Sequence, residues 1–487
     1  MTKVRQYLNI NNLLIVTIVI FYSLRFHNLS ADTTYINDES IYILVGKMGL
    51  FEYDWSAYNP QNWIPGDYYL YPSLTAIAYT VGGYAGSRIL SLLFGLFTLI
   101  SIGIIAYFSV SSENKNIKLF SGFVTALIAT IIPISYTINK LATADMQSTM
   151  LLMGGLACLL IATKRSPTLP AYFLLASLLL LLSITTKIIT GLFLPLTLLI
   201  MSIYLINNKG KGTTVLIYFF TPLVLGLTIF TYFRLESFVY YYYTQIDQEF
   251  ADIRTVLGTF YQFAFPVLPL AAAGAIGLIL RKKFITLIAI LFFILPVILF
   301  QIVTHRIISF DRHVYLPVVF LSILSGVGMT ELISVVKSKY LESFVKLCFM
   351  FTVLFLGWYY YTFYLHESAP RPWYDTENLS TFLYHKVQNG DKVLSEIGPH
   401  VALDLYDVND PTYTYTFDWL EYKNLKGYEA YESAMDDKFF DIIQINGNLH
   451  ERYKTHKYIA QIVYSKLNEN YSLVYREKEF YVYERIK

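Results

Sequence analysis

The sequence predicts a polytopic α-helical membrane protein that ends in a small water-soluble α/β domain. Three observations lead there. Of 487 residues, 55% are hydrophobic and only 15% charged, with a mean hydropathy of +0.46. Runs of about 20 apolar residues, long enough to span a hydrocarbon core, recur through the first three quarters of the chain. The formal net charge of +2 also hides a split: residues 1–366 carry 23 Lys+Arg against 15 Asp+Glu, and residues 367–487 carry 14 against 20. A basic, apolar membrane body (1–366) therefore precedes a mildly acidic soluble domain (367–487). This composition excludes a soluble enzyme, a disordered chain and a secreted disulfide scaffold. No basic block points to nucleic acid. The two cysteines, Cys158 and Cys348, lie in apolar segments, which excludes disulfides and Cys-based metal sites.

Eleven spans are expected, over residues 12–29, 88–110, 119–138, 148–163, 170–186, 188–206, 213–233, 256–280, 284–303, 314–333 and 347–366. No small-residue cleavage pattern follows the first apolar run, which reads as a retained anchor. Alternate threading puts Lys3/Arg5, Lys115/Lys118, Lys164/Arg165, Lys209/Lys211, Arg281-Lys282-Lys283 and Lys337/Lys339/Lys346 on one side. By the positive-inside rule that side is the cytoplasm, so the N-terminus is cytoplasmic and the C-terminal domain extracytoplasmic. Counting 69–86 (YLYPSLTAIAYTVGGYAG) as a twelfth span would move the 281–283 triplet outside. This stretch is instead expected as a helix lying in the outer interface, its tyrosines at headgroup depth. The first external loop, 30–87, then holds six acids and one base, Lys47. In the tail, DTENLSTFLYHKVQNG reads as a capped helix with a glycine stop. KVLSEIG and FDIIQIN read as buried strands, and LVYREKEFYVYERI as a terminal hairpin.

Charges at the membrane edge are the candidate functional groups, because burying them is costly. Asp38-Glu39, in INDESIYILVGKMG, opens a helix after the first span. The pair could supply a general base and a ligand for a substrate hydroxyl, or simply cap the helix. Asp145, in NKLATADMQST, stands at the same face, where it too could be a cap. Arg312, in SFDRHVYLPVV, begins the tenth span with His305, Arg306, Asp311 and His313 nearby, and Lys187 lies between two apolar runs. One such cation is ordinary snorkelling; a group of them suits a phosphate. Carboxylates at Asp38 and Asp145 could also hold a divalent ion with water. No P-loop, Rossmann glycine pattern or zinc spacing is present.

The order of these patterns resembles the GT-C glycosyltransferases of the protein O-mannosyltransferase and aminoarabinose-transferase superfamily. The matching stretches are Asp38-Glu39 with Tyr42, the Tyr-rich run from Asp67 to Leu74, SRILSLLFGLFTL (Ser87 to Leu99), ATADMQST, TKIITGLFLP and DRHVYLP. The resemblance covers about residues 8–335. The sequence departs from the aminoarabinose branch in two places. Ile41 stands where that branch has an arginine, and Leu70-Tyr71-Pro72-Ser73 where it has Lys-Pro-Pro. These departures disfavour that branch, and lipid A with it as the acceptor. The mannosyltransferase branch fits the acidic pair better, without its extra external sugar-binding repeats.

The resemblance implies an inverting transferase that moves a monosaccharide from a polyprenyl-phosphate donor to a glycan, lipid or protein acceptor on the extracytoplasmic face. It implies Asp38 and Glu39 as catalytic, and Asp145 and Tyr42 as sugar or acceptor ligands. Arg312, His313, Arg306 and Lys187 would bind the donor phosphate, with no cofactor required. The rival expectation is a lipid-linked-sugar transporter without chemistry, which would suit many spans and buried charges.

Overall fold

The computed structural model describes residues 10–27, 29, 37–60, 64, 66–164, 170–244, 251–305, 309–335, 339–366, 376–447 and 454–486. The membrane body is built from helices α1 (Ile10–Ser23), α2 (Asn37–Phe51), α3 (Leu70–Ser109), α4 (Lys115–Ile131), α5 (Pro133–Lys140), α6 (Ala144–Lys164) and α7 (Pro170–Thr186). It continues with α8 (Leu194–Asn207), α9 (Thr221–Thr244), α10 (Ile253–Ala264), α11 (Leu268–Leu280), α12 (Phe284–Thr304), α13 (Tyr315–Ile333) and α14 (Lys339–His366). Among the described residues, six helices are long and apolar enough to cross a membrane, or eight if each of two bent pairs is one span. Three further apolar helices, Ile10–Phe26, Pro170–Thr186 and Lys346–Tyr359, are shorter.

Two expected spans are broken. The chain bends by 75° between α4 and α5 and by 85° between α10 and α11. Proline is the cause in both cases: Pro133 opens α5, and Pro266 and Pro269 flank the second break. A proline ring gives no amide donor and clashes with the preceding turn, so the helix restarts in a new direction.

The stretch 69–86 also behaves differently from a simple prelude to a span. Residues 70–109 are helical throughout except at Gly82 (φ −149°) and Gly83 (φ 58°, ψ −151°). Only glycine enters the second conformation without strain, and the chain reverses there. Ser87 Oγ donates to Thr75 O at 3.0 Å, and the hydroxyls of Tyr71 and Ser91 lie 3.4 Å apart. Residues 70–81 thus form an arm doubled back along the start of the following span. The break falls at 82–83, a turn earlier than the sequence suggested.

The tail carries a five-stranded sheet in the order β2-β1-β5-β7-β6. Its strands are β1 (Val393–Ser395), β2 (Thr414–Thr416), β5 (Ile442–Asn446), β6 (Tyr471–Glu477) and β7 (Phe480–Arg485), while β3 (Glu421–Tyr422) and β4 (Leu425–Lys426) pair separately. β1 runs parallel to β2 and β5, and β7 antiparallel to β5 and β6. Side chains alternate between faces along a strand. Leu394 and Ile443 accordingly join one core with α17 (Tyr428–Asp436) and α18 (Lys454–Asn470). Val393 and Ile442 join the other with α15 (Glu377–Lys386) and α16 (Gly398–Asp404). Both expected strands and the terminal hairpin are present. The expected cap and glycine stop on α15 are not: Thr376 makes no side-chain cap, and the helix ends at Lys386, before Gly390. Thr376 Oγ1 instead hydrogen-bonds His400 Nε2 at 2.7 Å.

α2 is held from two sides. Gly46 lies so close to the arm that an added Cβ would sit 2.0 Å from Pro72 O. On the other side, Leu44 and Met48 pack with Ala402 of α16, and Ile43 and Tyr84 with Leu403. Polar contacts join the same surfaces: Tyr84 OH is 2.9 Å from Ser40 Oγ and 3.1 Å from His400 Nδ1. Tyr406 OH donates to Glu52 at 2.9 Å, and Lys47 Nζ sits 3.6 Å from the centroid of the Tyr406 ring.

Candidate active site

Four segments meet at one end of the helical body. The first turn of α2 supplies Asp38, and the first turn of α6 supplies Asp145. Lys187 occupies an extended position (φ −149°) between α7 and the 3-10 turn Ile188–Phe193. Arg312 and His313 sit on the helical turn Phe310–His313 that leads into α13. The chain enters that turn through Ser309 at φ 54°, and Ser309 Oγ accepts from Arg312 Nη2 at 2.7 Å.

The charges form a chain. Arg312 Nη1 lies 2.5 Å from Asp38 Oδ2 and 3.8 Å from Asp145 Oδ2. Lys187 Nζ bonds the other Asp145 oxygen. Thr143 Oγ1 donates to Asp145 Oδ2 at 2.8 Å. Asp38 is the most exposed member of this chain at 39%, against 16% for Arg312, 7% for Asp145 and 19% for Lys187. Asp145, Lys187, Arg312 and His313 line a small cavity with Ser148, Thr149 and Tyr315. Both ring nitrogens of His313 are buried there without a hydrogen-bond partner. A buried imidazole with unpartnered nitrogens beside two cations offers hydrogen bonds to an anionic or hydroxylated group.

Glu39 does not belong to this group. Its side chain and that of Arg88 are both 0% exposed, joined Nη2 to Oε2 at 3.0 Å and Nε to Oε1 at 3.3 Å. The Ala142 amide donates to Glu39 Oε1 at 2.8 Å, and Arg88 Nη1 donates to Leu29 O at 3.1 Å. Neighbouring residues on a helix point about 100° apart, so the adjacent carboxylates of one motif go to different places. The catalytic expectation for Glu39 is corrected accordingly: its oxygens are spent inside the protein, fastening α2 to α3 and to the chain before α6. Arg88 was visible in SRILSLLFGLFTL, but nothing in its spacing named Glu39 as the partner.

Tyr42 stands one turn after Asp38 and meets the Tyr71 ring edge-on at 5.0 Å. His305 lies at the end of α12, where its Nδ1 is 3.4 Å from Ala251 O. Arg306 lies outside the described residues. Among the described residues no group of three or more His, Cys, Asp or Glu side chains could hold a metal ion. The two carboxylates considered for a divalent ion are bonded to Arg312 and Lys187. A second, more open cavity of about 500 Å³ lies nearby, lined by Asp67, Tyr69, Leu70, Ser73, Leu182 and Phe230 among others. Asp67 N donates to Thr185 O at 2.6 Å, which places this cavity's rim two residues from Lys187.

No family model matches the chain, and no curated protein sequence does. Solved structures do match. ArnT from Cupriavidus metallidurans bound to undecaprenyl phosphate aligns with a TM-score of 0.59 at 12% identity, over 97% of both chains. The apo form of the same protein gives 0.61. The Archaeoglobus fulgidus oligosaccharyltransferase in its apo form aligns at 0.60 with 10% identity, over 97% of this chain and 74% of that one. Both are GT-C glycosyltransferases. The chain described here has the GT-C fold and is an integral membrane protein.

Proposed function

We propose that the protein is an inverting glycosyltransferase that moves a monosaccharide from a polyprenyl-phosphate donor to an acceptor hydroxyl on the extracytoplasmic face. The observation that carries this reading is the Asp38–Arg312 pair, whose arginine lines a small cavity with Asp145 and Lys187, in a fold shared with ArnT and an oligosaccharyltransferase. The undecaprenyl phosphate bound to ArnT supports a polyprenyl phosphate as the partner here.

In this mechanism Asp38 accepts the acceptor's proton while the acceptor oxygen bonds to the anomeric carbon. The bond from that carbon to the phosphate oxygen breaks, and its electron pair leaves with polyprenyl phosphate. No proton is needed on that leaving group, because a phosphate anion is stable. Arg312 and Lys187 neutralise the charge that develops on it, with His313 offering a further donor. Attack opposite the leaving group in a single displacement inverts the anomeric centre. Asp145 orients the two cations, and Tyr42 with Tyr71 forms an aromatic wall beside the base.

The reading is tested by incubating purified, lipid-reconstituted protein with polyprenyl-phosphate sugars and an envelope extract. Release of free polyprenyl phosphate is the expected result. Movement of the intact donor across the bilayer without bond cleavage would make the protein a transporter.

The sidedness rests on charge and on packing. Arg281 Nε pairs with Glu331 at 3.3 Å, and Glu331 accepts from Ser111 N at 2.9 Å, which gathers residues expected at the cytoplasmic end. The tail instead packs on α2, at the end that carries Asp38. A cysteine at Asp436 should react with an impermeant reagent on intact cells, and one at Lys282 should not. Labelling of both would overturn the topology.

A further inference from the structure

We infer that the Asp38–Arg312 ion pair is a latch opened by the donor's phosphate, so that the base is set free only once the donor is in place. This rests on the function proposed above and adds an order of events to it.

The argument starts from charge. Asp38, Arg312, Asp145 and Lys187 contain two anions and two cations, bonded into one line. The set is neutral and its cations are occupied. A phosphodiester brings one more negative charge into a largely buried site, where an unpaired charge is costly. It binds well only if a carboxylate gives up its cation.

The geometry says which one. Asp145 is held by Lys187 and by the Thr143 hydroxyl, and its side chain is 7% exposed. Among the described residues Asp38 pairs with Arg312 alone, and its side chain is 39% exposed, so water can solvate it on release. Arg312 is steadied from behind by Ser309 and can turn its outer nitrogen from one oxyanion to another. The His313 ring, its nitrogens unpartnered, and the Lys187 ammonium line a small cavity with room for about one water, beside which the phosphate would sit.

Release changes what Asp38 can do. While Oδ2 is bonded to the guanidinium, the carboxylate is turned toward Arg312 and its negative charge is spent on that cation rather than on the proton of an acceptor hydroxyl. Once Arg312 bonds a phosphate oxygen, Asp38 is a free carboxylate at the mouth of the site. Proton removal therefore waits for the donor, and an acceptor arriving first meets an engaged base.

The experiment is a binding titration of undecaprenyl phosphate against purified wild type, Asp38→Asn, Asp38→Ser and Arg312→Ala, each reconstituted in nanodiscs. Removing the competing carboxylate should tighten binding about tenfold or more in both Asp38 variants, although both turn over more slowly. Arg312→Ala should weaken it by a similar factor. Equal or weaker binding in both Asp38 variants, with Arg312→Ala still weakened, overturns the latch and leaves the phosphate site standing. Unchanged binding in Arg312→Ala overturns both.

Discussion

Two adjacent carboxylates in α2 meet two arginines, and the outcomes are opposite. Glu39 and Arg88 are sealed from solvent, joined by two hydrogen bonds and backed by the Ala142 amide and the Leu29 carbonyl. Asp38 and Arg312 touch through one close contact at the edge of a cavity, with the carboxylate partly in water. The first pair is a fastener and the second is available to a ligand. What separates them is not residue type or spacing but whether each lone pair has somewhere else to go. An ion pair that is saturated and dry can only hold the fold. One that is wet on a single side can exchange partners.

The comparison breaks most sharply at Arg88. Arg88→Ala leaves the Glu39 carboxylate buried and uncompensated, which should cost about 3–5 kcal/mol of stability. Thermal unfolding of the detergent-solubilised protein measures it, and a melting temperature equal to wild type would show that the pair carries no such load. Arg312→Ala should melt close to wild type by the same assay, since Asp38 can turn to water.

Asp38→Asn probes the other pair. It keeps the shape of the side chain and removes its basicity, so turnover should fall by about 10²–10⁴-fold with the fold intact. Near-normal turnover in a well-folded variant would return Asp38 to the role of a helix cap, since Asn caps about as well as Asp. Arg312→Lys is subtler. It keeps the charge and loses the planar fork that can grip two phosphate oxygens, so donor affinity should drop about tenfold. Affinity equal to wild type would mean that Arg312 acts there as a point charge alone.

A third ion cluster, in the tail, sharpens the contrast through pH. His456 lies between Asp418, at 3.1 Å, and the buried Glu396, at 3.4 Å. Burial works against its charged form, but the two carboxylates prevail and raise its pKa to about 9. Asp418 is shifted below the usual carboxylate range: burial opposes this, and His456 and Thr416 outweigh it. A raised histidine stabilises fully below its unfolded value of about 6.5, and the benefit is lost as pH climbs through about 9. A lowered aspartate stabilises above about 3.9 and loses its benefit in acid. The full-length protein should therefore melt lower at pH 9.5 than at pH 6, and His456→Ala should reduce that difference. An identical pH dependence in the variant would remove this cluster from the tail's stability.

Much of this molecule was legible in its sequence, and the gaps have physical causes. Apolar runs located the helices because a bilayer-sized stretch leaves little choice of structure. Strand patterns located β1 and β5 because they are short runs buried at every residue, and β6 and β7 because two β-prone runs rich in aromatic and β-branched residues flank a tight turn. Asp38, Asp145, Lys187 and Arg312 could be gathered at one end because topology follows from the basic loops. The proline-driven bends were harder to see, since a proline in an apolar run marks a weak point without giving an angle. The Glu39–Arg88 pair joins residues 49 positions apart, and the His400 contacts with Ser40 of α2 and Tyr84 of α3 join residues 360 and 316 apart. Neither has a periodic signature, because such partners are chosen by the packed structure.

The docking of the tail on α2 bears on how the chain is made. Ser40 and Tyr84 are synthesised early, and the His400 that joins them arrives some 360 residues after Ser40. Contacts that remote cannot form until nearly the whole chain has left the ribosome. Through most of its synthesis the helix bearing Asp38 is supported by the arm and by the Glu39–Arg88 pair, without the tail. Its second wall is the last part of the protein to fold, and a chain cut short before residue 398 is made without it.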